Sequence, residues 1–293
     1  MRVSGKPARI AAAALATTCI FGWPAWSADT GATPDLSMGG MPWVNDYPDY
    51  LRPKSGPGPV TWTPSIPLFV PASAGRDRNH RVADLTNPIL QPWVREVLEK
   101  ENKAALAGNV QYTAIARCRP AGVPVVHLLR RNGMFITQEP NKVTFLYQSD
   151  HQVRHVYLNV PHSANVKPSY YGESVGHYEG ATLVVDTIGI STKEPIDYYQ
   201  TPHTDKLHVV ERFRVIDGGK ILEVNFTVED PGAFTTPWSA SQQYKAEPAP
   251  RRMAPGERFS ESVCAESESM AASRPQDPQH GLVPIPISTK PDF

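Results

Sequence analysis

Cysteine is scarce in this chain. Three occur in 293 residues, Cys19, Cys118 and Cys264. None belongs to a CxxC pair, which removes the usual basis for a thiolate metal site or a dithiol redox motif. An excess of charge is also missing. The 29 Lys and Arg residues are matched by 29 Asp and Glu, so a nucleic-acid partner has no electrostatic support. There is no GxSxG elbow, no P-loop, no dinucleotide fingerprint and no HExxH helix, which leaves nucleotide-cofactor chemistry and the common hydrolase and zincin sites without a signal. After the first residues no apolar run is long enough to cross a membrane, so no span is expected in the mature chain. Between Asn132 and Glu266 nothing carries a sustained helical period.

What is present begins with a leader. Arg2, Lys6 and Arg9 precede the apolar run Ile10–Phe21, and Ala25-Trp26-Ser27 places small residues where a signal peptidase cuts. Residues 1–27 read as a secretory signal, and the protein is expected to be exported, periplasmic or extracellular. Removing Arg2, Lys6 and Arg9 leaves 26 basic residues against 29 acidic ones, a net charge of −3. Cys19 goes with the signal. In an oxidising compartment the remaining Cys118 and Cys264 most simply pair, and closing so long a loop is worth roughly 3–5 kcal/mol in the chain-entropy model.

Residues 28–86 are rich in Pro, Gly and Ser and read as an extended arm. Trp43, Tyr47, Tyr50, Trp62 and Phe69 are too many aromatics for a solvated linker, so part of the arm is expected to lie across the domain surface. The folded domain spans 87–266, and the polar, Pro-rich residues 267–293 read as a disordered tail. One helix is expected within Asn87–Gly108, with Pro92 in its first turn and a stripe of Trp93, Val94, Val97, Leu98, Ala105 and Leu106. Strands follow. Phe135–Gln138 is short. Val143–Gln148 and Val153–Asn159 form a hairpin in which Val143, Phe145, Tyr147, Val156 and Leu158 share a face. Ser239–Lys245 and Phe259–Ala265 add two more. The fold class is mainly β: an antiparallel barrel of calycin-like type, or a sandwich, with one helix and an extended N-terminal arm.

Two hairpins between Tyr170 and Val228 hold most of the candidate chemistry. In the first, Glu173–Tyr178 and Thr182–Thr187 flank Glu179-Gly180. A two-residue loop there sets Glu173 opposite Asp186 and His177 opposite Thr182, on one face. Two facing carboxylates repel unless one is protonated or a cation intervenes, so Glu173, His177 and Asp186 form a candidate acid/base group. In the second, Leu207–Ile216 and Ile221–Val228 flank Asp217–Lys220. Arg214 then faces Glu223 and Arg212 faces Asn225 on a polar face. The other face is apolar apart from Glu211. A lone carboxylate there costs several kcal/mol unless paired, so Glu211 requires a partner or a task. Together, Glu211 and the first hairpin's polar face favour a barrel with a partly polar interior.

Loops add His162 in VPHSAN, His203 and His208 in PHTDKLH, and Tyr198 and Tyr199 in IDYYQTPHTD. Loops at one end of a β-scaffold commonly build sites, which makes these five candidate substrate-binding residues. For each histidine a hydrogen-bonding role in the structure is the simpler reading, and the tyrosines either cap a pocket or pack under their loop. No cofactor is expected. A divalent metal has only weak support, because His203 and His208 lack a ligand spacing.

The segments GESVGHYEGATLVVDTIGI, PHTDKLHVVERFR and VEDPGAFTTPW resemble a widespread family of secreted bacterial proteins of uncharacterised activity, whose pattern runs GDSIGHWEGDTLVVDT, then PHSDALHVVERY, then DDP…Y…PW. The resemblance covers about Cys118–Cys264 and matches Gly176, His177, Gly180, Asp186, His203, His208, Glu211 and Arg212. Ala181 and Tyr178 depart from it. It implies no activity.

The expected partner is a small hydrophobic or aromatic molecule. The leading expectation is a cofactor-independent acid/base enzyme (lyase, hydratase, isomerase or hydrolase) in which His177 and Glu211 form the acid/base pair, tuned by Asp186 and Glu173. The alternatives are a non-catalytic carrier of a hydrophobic ligand and an envelope interaction module using the arm. The sequence sets no oligomeric state.

Overall fold

Period-2 alternation in the second half of the chain builds a closed barrel. The computed structural model describes residues 33–45, 47, 49–65, 81–107, 113–115, 118–129, 133–149, 152–246, 276–277 and 281–282. Its strands are β1 Trp43–Val44, β2 Gly133–Glu139, β3 Lys142–Tyr147, β4 Val153–Leu158, β5 Glu173–Glu179, β6 Thr182–Ile188, β7 His208–Ile216, β8 Ile221–Glu229 and β9 Trp238–Ala246. They pair in chain order, and β1 joins β9 to close the ring. Every pairing is antiparallel except β4 with β5. That exception follows from the long crossover at 159–172, which returns the chain to the end of the barrel it left. A barrel rather than a sandwich leaves no open edge in the sheet.

The arm takes a different place from the one expected. Its residues Trp43 and Val44 are the closing strand, and Leu36 and Trp43 are fully buried in the core. The Trp43 indole donates to the Leu36 carbonyl at 2.8 Å. Two residues carry no readable period, so aromatic content was the only hint. Leu51 also bridges to Ser241 of β9. The helix α1 runs Pro92–Leu106 with Pro at its N-terminus, and it buries Val94, Leu98, Asn102 and Ala105. Trp93 and Leu106, counted in its apolar stripe, are exposed instead. Trp93 donates its indole to Gly232, and the Asn102 amide clamps Ala83 by both backbone groups.

The second hairpin has the expected register, Ile216 with Ile221, Arg214 with Glu223 and Arg212 with Asn225. The first does not. Its loop is Gly180-Ala181, with Gly180 at φ 55°, where a two-residue hairpin loop takes glycine. Glu173 therefore pairs with Ile188, Val175 with Asp186, and His177 with Val184, so the expected carboxylate pair is not directly opposed. The displacement is two residues, an even number, so each side chain keeps its face. The β3–β4 face of Val143, Phe145, Tyr147, Val156 and Leu158 is buried as its alternation implies.

The described lumen is filled rather than hollow. A 3-10 turn, Val125–Leu128, is wholly buried inside it. Its His127 ring stacks on Phe226 at 5.3 Å, and Phe145 meets Phe213 at 5.0 Å. In the tail, Gln276 pairs with Leu282 and Asp277 with Gly281. Polar composition does not prevent such pairing, because it uses backbone groups alone. The leader, Phe69, Gly108, the Phe259–Ala265 strand and Cys264 lie outside the described residues, so the Cys118–Cys264 bridge does too.

Candidate functional site

The barrel wall separates the polar residues into two assemblies. The inner one is centred on Glu211, which β7 turns inward between Val209 and Phe213 and which is 0% exposed. Arg154, on the inward face of β4, meets it with both terminal nitrogens, Nη1 at 2.9 Å from Oε1 and Nη2 on Oε2. The same guanidinium donates Nε–H to Ser174 at 3.0 Å and Nη2–H to Thr187 at 2.7 Å. His127 approaches from the turn inside the lumen. Its Nε2 lies 2.7 Å from Glu211 Oε1 and its Nδ1 2.7 Å from the Tyr244 hydroxyl. An ionised carboxylate only accepts, so His127 Nε2–H donates to Glu211, while burial keeps the Tyr244 phenol beside Nδ1 protonated. Asn45 and Gln242 fix the His127 carbonyl at 2.6 and 3.1 Å.

Burial alone would raise the Glu211 carboxyl, but the Arg154 charge and the His127 hydrogen bond overcome it and hold the pKa at about 2. Burial likewise opposes the Arg154 cation, and Glu211 restores it, leaving that group more basic than usual. A carboxylate this acidic makes a weak base. The inner assembly is thus a neutralised, hydrogen-bonded ion pair in the core.

The outer assembly lies at one end of β5–β8 on the opposite side of the wall. Glu173, His162, Asp186, His208 and Glu229 form a chain of alternating carboxylates and imidazoles. His162 Nδ1 is 3.2 Å from Glu173 and Nε2 3.0 Å from Asp186. His208 Nε2 is 3.0 Å from Asp186 and Nδ1 3.2 Å from Glu229. The Ser163 amide also donates to Glu173 at 2.7 Å. The hydrogen bond that His208 donates to Asp186 raises the His208 pKa despite partial burial. Burial pushes Asp186 up, but its bonds to His208 and His162 bring it below the usual carboxylate range. In Glu173, burial is likewise outweighed by bonds from Ser163 and His162.

Four candidates, Glu173, Asp186, His162 and His208, therefore meet, but not with Glu211. The His177–Glu211 acid/base pair does not exist. His177 is on the outer face, bonded to Glu179 at 3.0 Å, and Glu179 in turn holds Arg212. Alternation along β5 and β7 puts the two on opposite sides of the wall. His203 spends both ring nitrogens on backbone carbonyls, Thr204 at 2.8 Å and Glu194 at 3.1 Å. Tyr198 and Tyr199 pack under their loop, donating to Leu128 and to Asp49. Among the described residues no His, Cys, Asp and Glu side chains converge as a metal set.

Arg154 and His127 were not among the sequence candidates, although a signal existed. Arg154 has the same parity as Val156 and Leu158, so it falls on their apolar face, as Glu211 does on its own. His127 sits inside the apolar run VPVVHLL.

A cleft of about 550 Å³ opens in the wall beside the inner assembly. Its cause is the short parallel pairing of β4 with β5, which covers only Val156–Leu158 against Ser174–Gly176. Below that stretch Val153, Arg154 and His155 separate from β5, and the crossover residues Asn165–Gly172 form the facing wall. Glu173 stands at the rim, so the outer chain begins at this cleft. The chain ends at a smaller one of about 310 Å³, which includes His208 and Glu229. Comparison with known protein families and with characterised sequences finds no match for this chain.

Proposed function

We propose that the protein is an exported small-molecule-binding β-barrel whose ligand occupies the cleft between β4 and the crossover that precedes β5. One observation carries the reading: beside the short β4–β5 pairing lies a cleft, lined in part by Arg154 and Ser174 of the inner assembly, with the volume of an ordinary ligand site. Its walls mix the apolar and aromatic side chains Val153, Tyr157, Val166 and Tyr170 with a larger share of polar ones, so a ligand there would be held by both apolar contact and hydrogen bonds. The inner assembly supports binding over turnover, because its groups satisfy one another and Glu211 stays ionised. The test is a fragment panel screened by NMR against the full chain. Shifts clustered at Val153, His155, Tyr157 and Lys167, removed by Tyr157→Ala, support the reading. Perturbations that avoid these residues across the panel overturn it.

A second reading is an acid/base enzyme that uses the outer chain, with Asp186 and His208 in place of the separated pair. It rests on the alternation of partly buried imidazoles with carboxylates between two clefts. Loss of turnover of a screened substrate in His208→Asn, with folding retained, supports it. Unchanged turnover in that variant rules it out.

A further inference from the structure

We propose that the cleft selects a planar aromatic ring bearing one acidic group, with Lys167 as the residue that reads the charge. This rests on the proposed ligand site and assigns its ligand class. The first ground is the balance of charge around the cleft. Three charged side chains line it: Arg154, Glu173 and Lys167. Arg154 is neutralised by Glu211 in the core. Glu173 is occupied by His162 and the Ser163 amide. Lys167 is exposed, and among the described residues it makes no salt bridge. Lys167 is thus the one charged side chain of the lining without an ion-pair partner among the described residues, and an anion entering the cleft meets a cation that needs no partner removed first.

The second ground is shape and polarity. Tyr157 and Val153 stand on the outer face of β4 at 49% and 48% exposure, the kind of large apolar surface that a folded chain normally covers. Across the opening, Tyr170 and Tyr171 belong to the other wall. Tyr171 is buried with its ring stacked on Tyr147, so Tyr157 and the half-buried Tyr170 are the rings left to flank a flat ligand, whose ring–ring contacts add to the area buried. Lys167 lies in the crossover wall itself. Its segment is held in place: the Ser169 backbone bonds Gly189 at 3.0 Å and Ser191 at 2.8 Å. The ring and the charge are thus read by elements fixed relative to each other, which lowers the ordering cost of binding.

The probes are 2-naphthoate, its neutral isostere 2-naphthamide and the non-aromatic anion cyclohexanecarboxylate, titrated into the full chain and followed by NMR. The expected result is a naphthoate affinity above that of both other probes, with shifts at Tyr157 and Lys167. Lys167→Met keeps the aliphatic stem and removes the charge. It should weaken naphthoate by roughly 3–10-fold and leave naphthamide unchanged, with the melting temperature unmoved because Lys167 is exposed. Tyr157→Ala should weaken both naphthyl probes alike. Equal affinity for naphthoate and naphthamide, or an unaltered naphthoate affinity in Lys167→Met, overturns the ligand class while the cleft stands as a binding site. If none of the three probes shifts cleft residues, the class is overturned as well, and the fragment panel decides whether the cleft binds other chemistry or none.

Discussion

His162 and His208 meet on a single oxygen: each directs Nε2 to Asp186 Oδ1, at 3.0 Å in both cases. His162 belongs to the crossover and His208 begins β7, so one carboxylate fastens a loop and a strand to β6. The other nitrogen of each ring reaches a second carboxylate, Glu173 for His162 and Glu229 for His208.

This arrangement makes stability depend on pH from both sides. The His208 pKa is raised above its ordinary 6.5, so its contribution is complete below that value and is lost as pH rises through the folded pKa. Asp186 and Glu173 are lowered from 3.8 and 4.5, so theirs is complete above those values and is lost as pH falls through the folded pKa values. The melting temperature should be highest between about 4.5 and 6.5. His208→Gln should flatten the alkaline limb and also shrink the acid one, because the bond to His208 is part of what lowers Asp186. An unchanged alkaline limb in that variant rules out His208 as its source.

Glu211→Gln leaves the Arg154 guanidinium buried without its counter-charge. The expected loss is about 3–5 kcal/mol in urea unfolding. Replacing both members, Arg154→Met with Glu211→Leu, should cost clearly less than the sum of the two single changes. Additive losses would mean that the pair does not act as a unit.

His177→Ala breaks an outer-face contact with half-exposed Glu179. A loss of no more than about 1 kcal/mol is expected, with ligand shifts in the cleft retained. A loss comparable to that of Glu211→Gln would contradict the placement of these two residues on opposite sides of the wall.

Gly176 faces inward where β4 and β5 run parallel. A Cβ there would lie 2.6 Å from the Val184 carbonyl and 2.9 Å from a Val156 methyl. Gly176→Ala should therefore destabilise the barrel by about 1–3 kcal/mol and alter the cleft that starts beside this junction. Wild-type stability in that variant would show that β4 and β5 can move apart freely.

The sequence made faces legible more readily than places. Alternation sorted β3, β4, β7 and β8 correctly, and Glu211 stood out as a carboxylate among Val209, Phe213 and Val224. Its partner was legible by the same parity rule, since Arg154 shares a face with Val156 and Leu158, but a single strand gives no reason to join residues 57 apart. The first hairpin was harder. Its inward face holds Ser174, Gly176 and Thr187, and its outward face Val175 and Val184, so polarity does not say which side meets the core. Register was hidden as well, because a displacement of two residues leaves every face unchanged. The contacts of His162 with Asp186 depend on the path of the crossover, which has no period to read. The closing strand was invisible for the same reason. Deleting residues 28–75 to test the arm as an interaction module would also remove β1, so loss of partner binding there would not separate that role from collapse of the barrel.

That closing strand has a consequence for how the molecule is assembled. Trp43 and Val44 pair with Ala246 and Lys245, so the ring is sealed by joining the arm to the last barrel strand. Until β9 has been synthesised and placed, β2 and β8 both present open edges able to pair with other chains. Sealing is also the contact of greatest sequence separation in the sheet, the kind formed late and slowly. A chain interrupted before residue 246 is thus left with two adhesive edges rather than a smaller stable domain, which makes the final strand a checkpoint for productive folding.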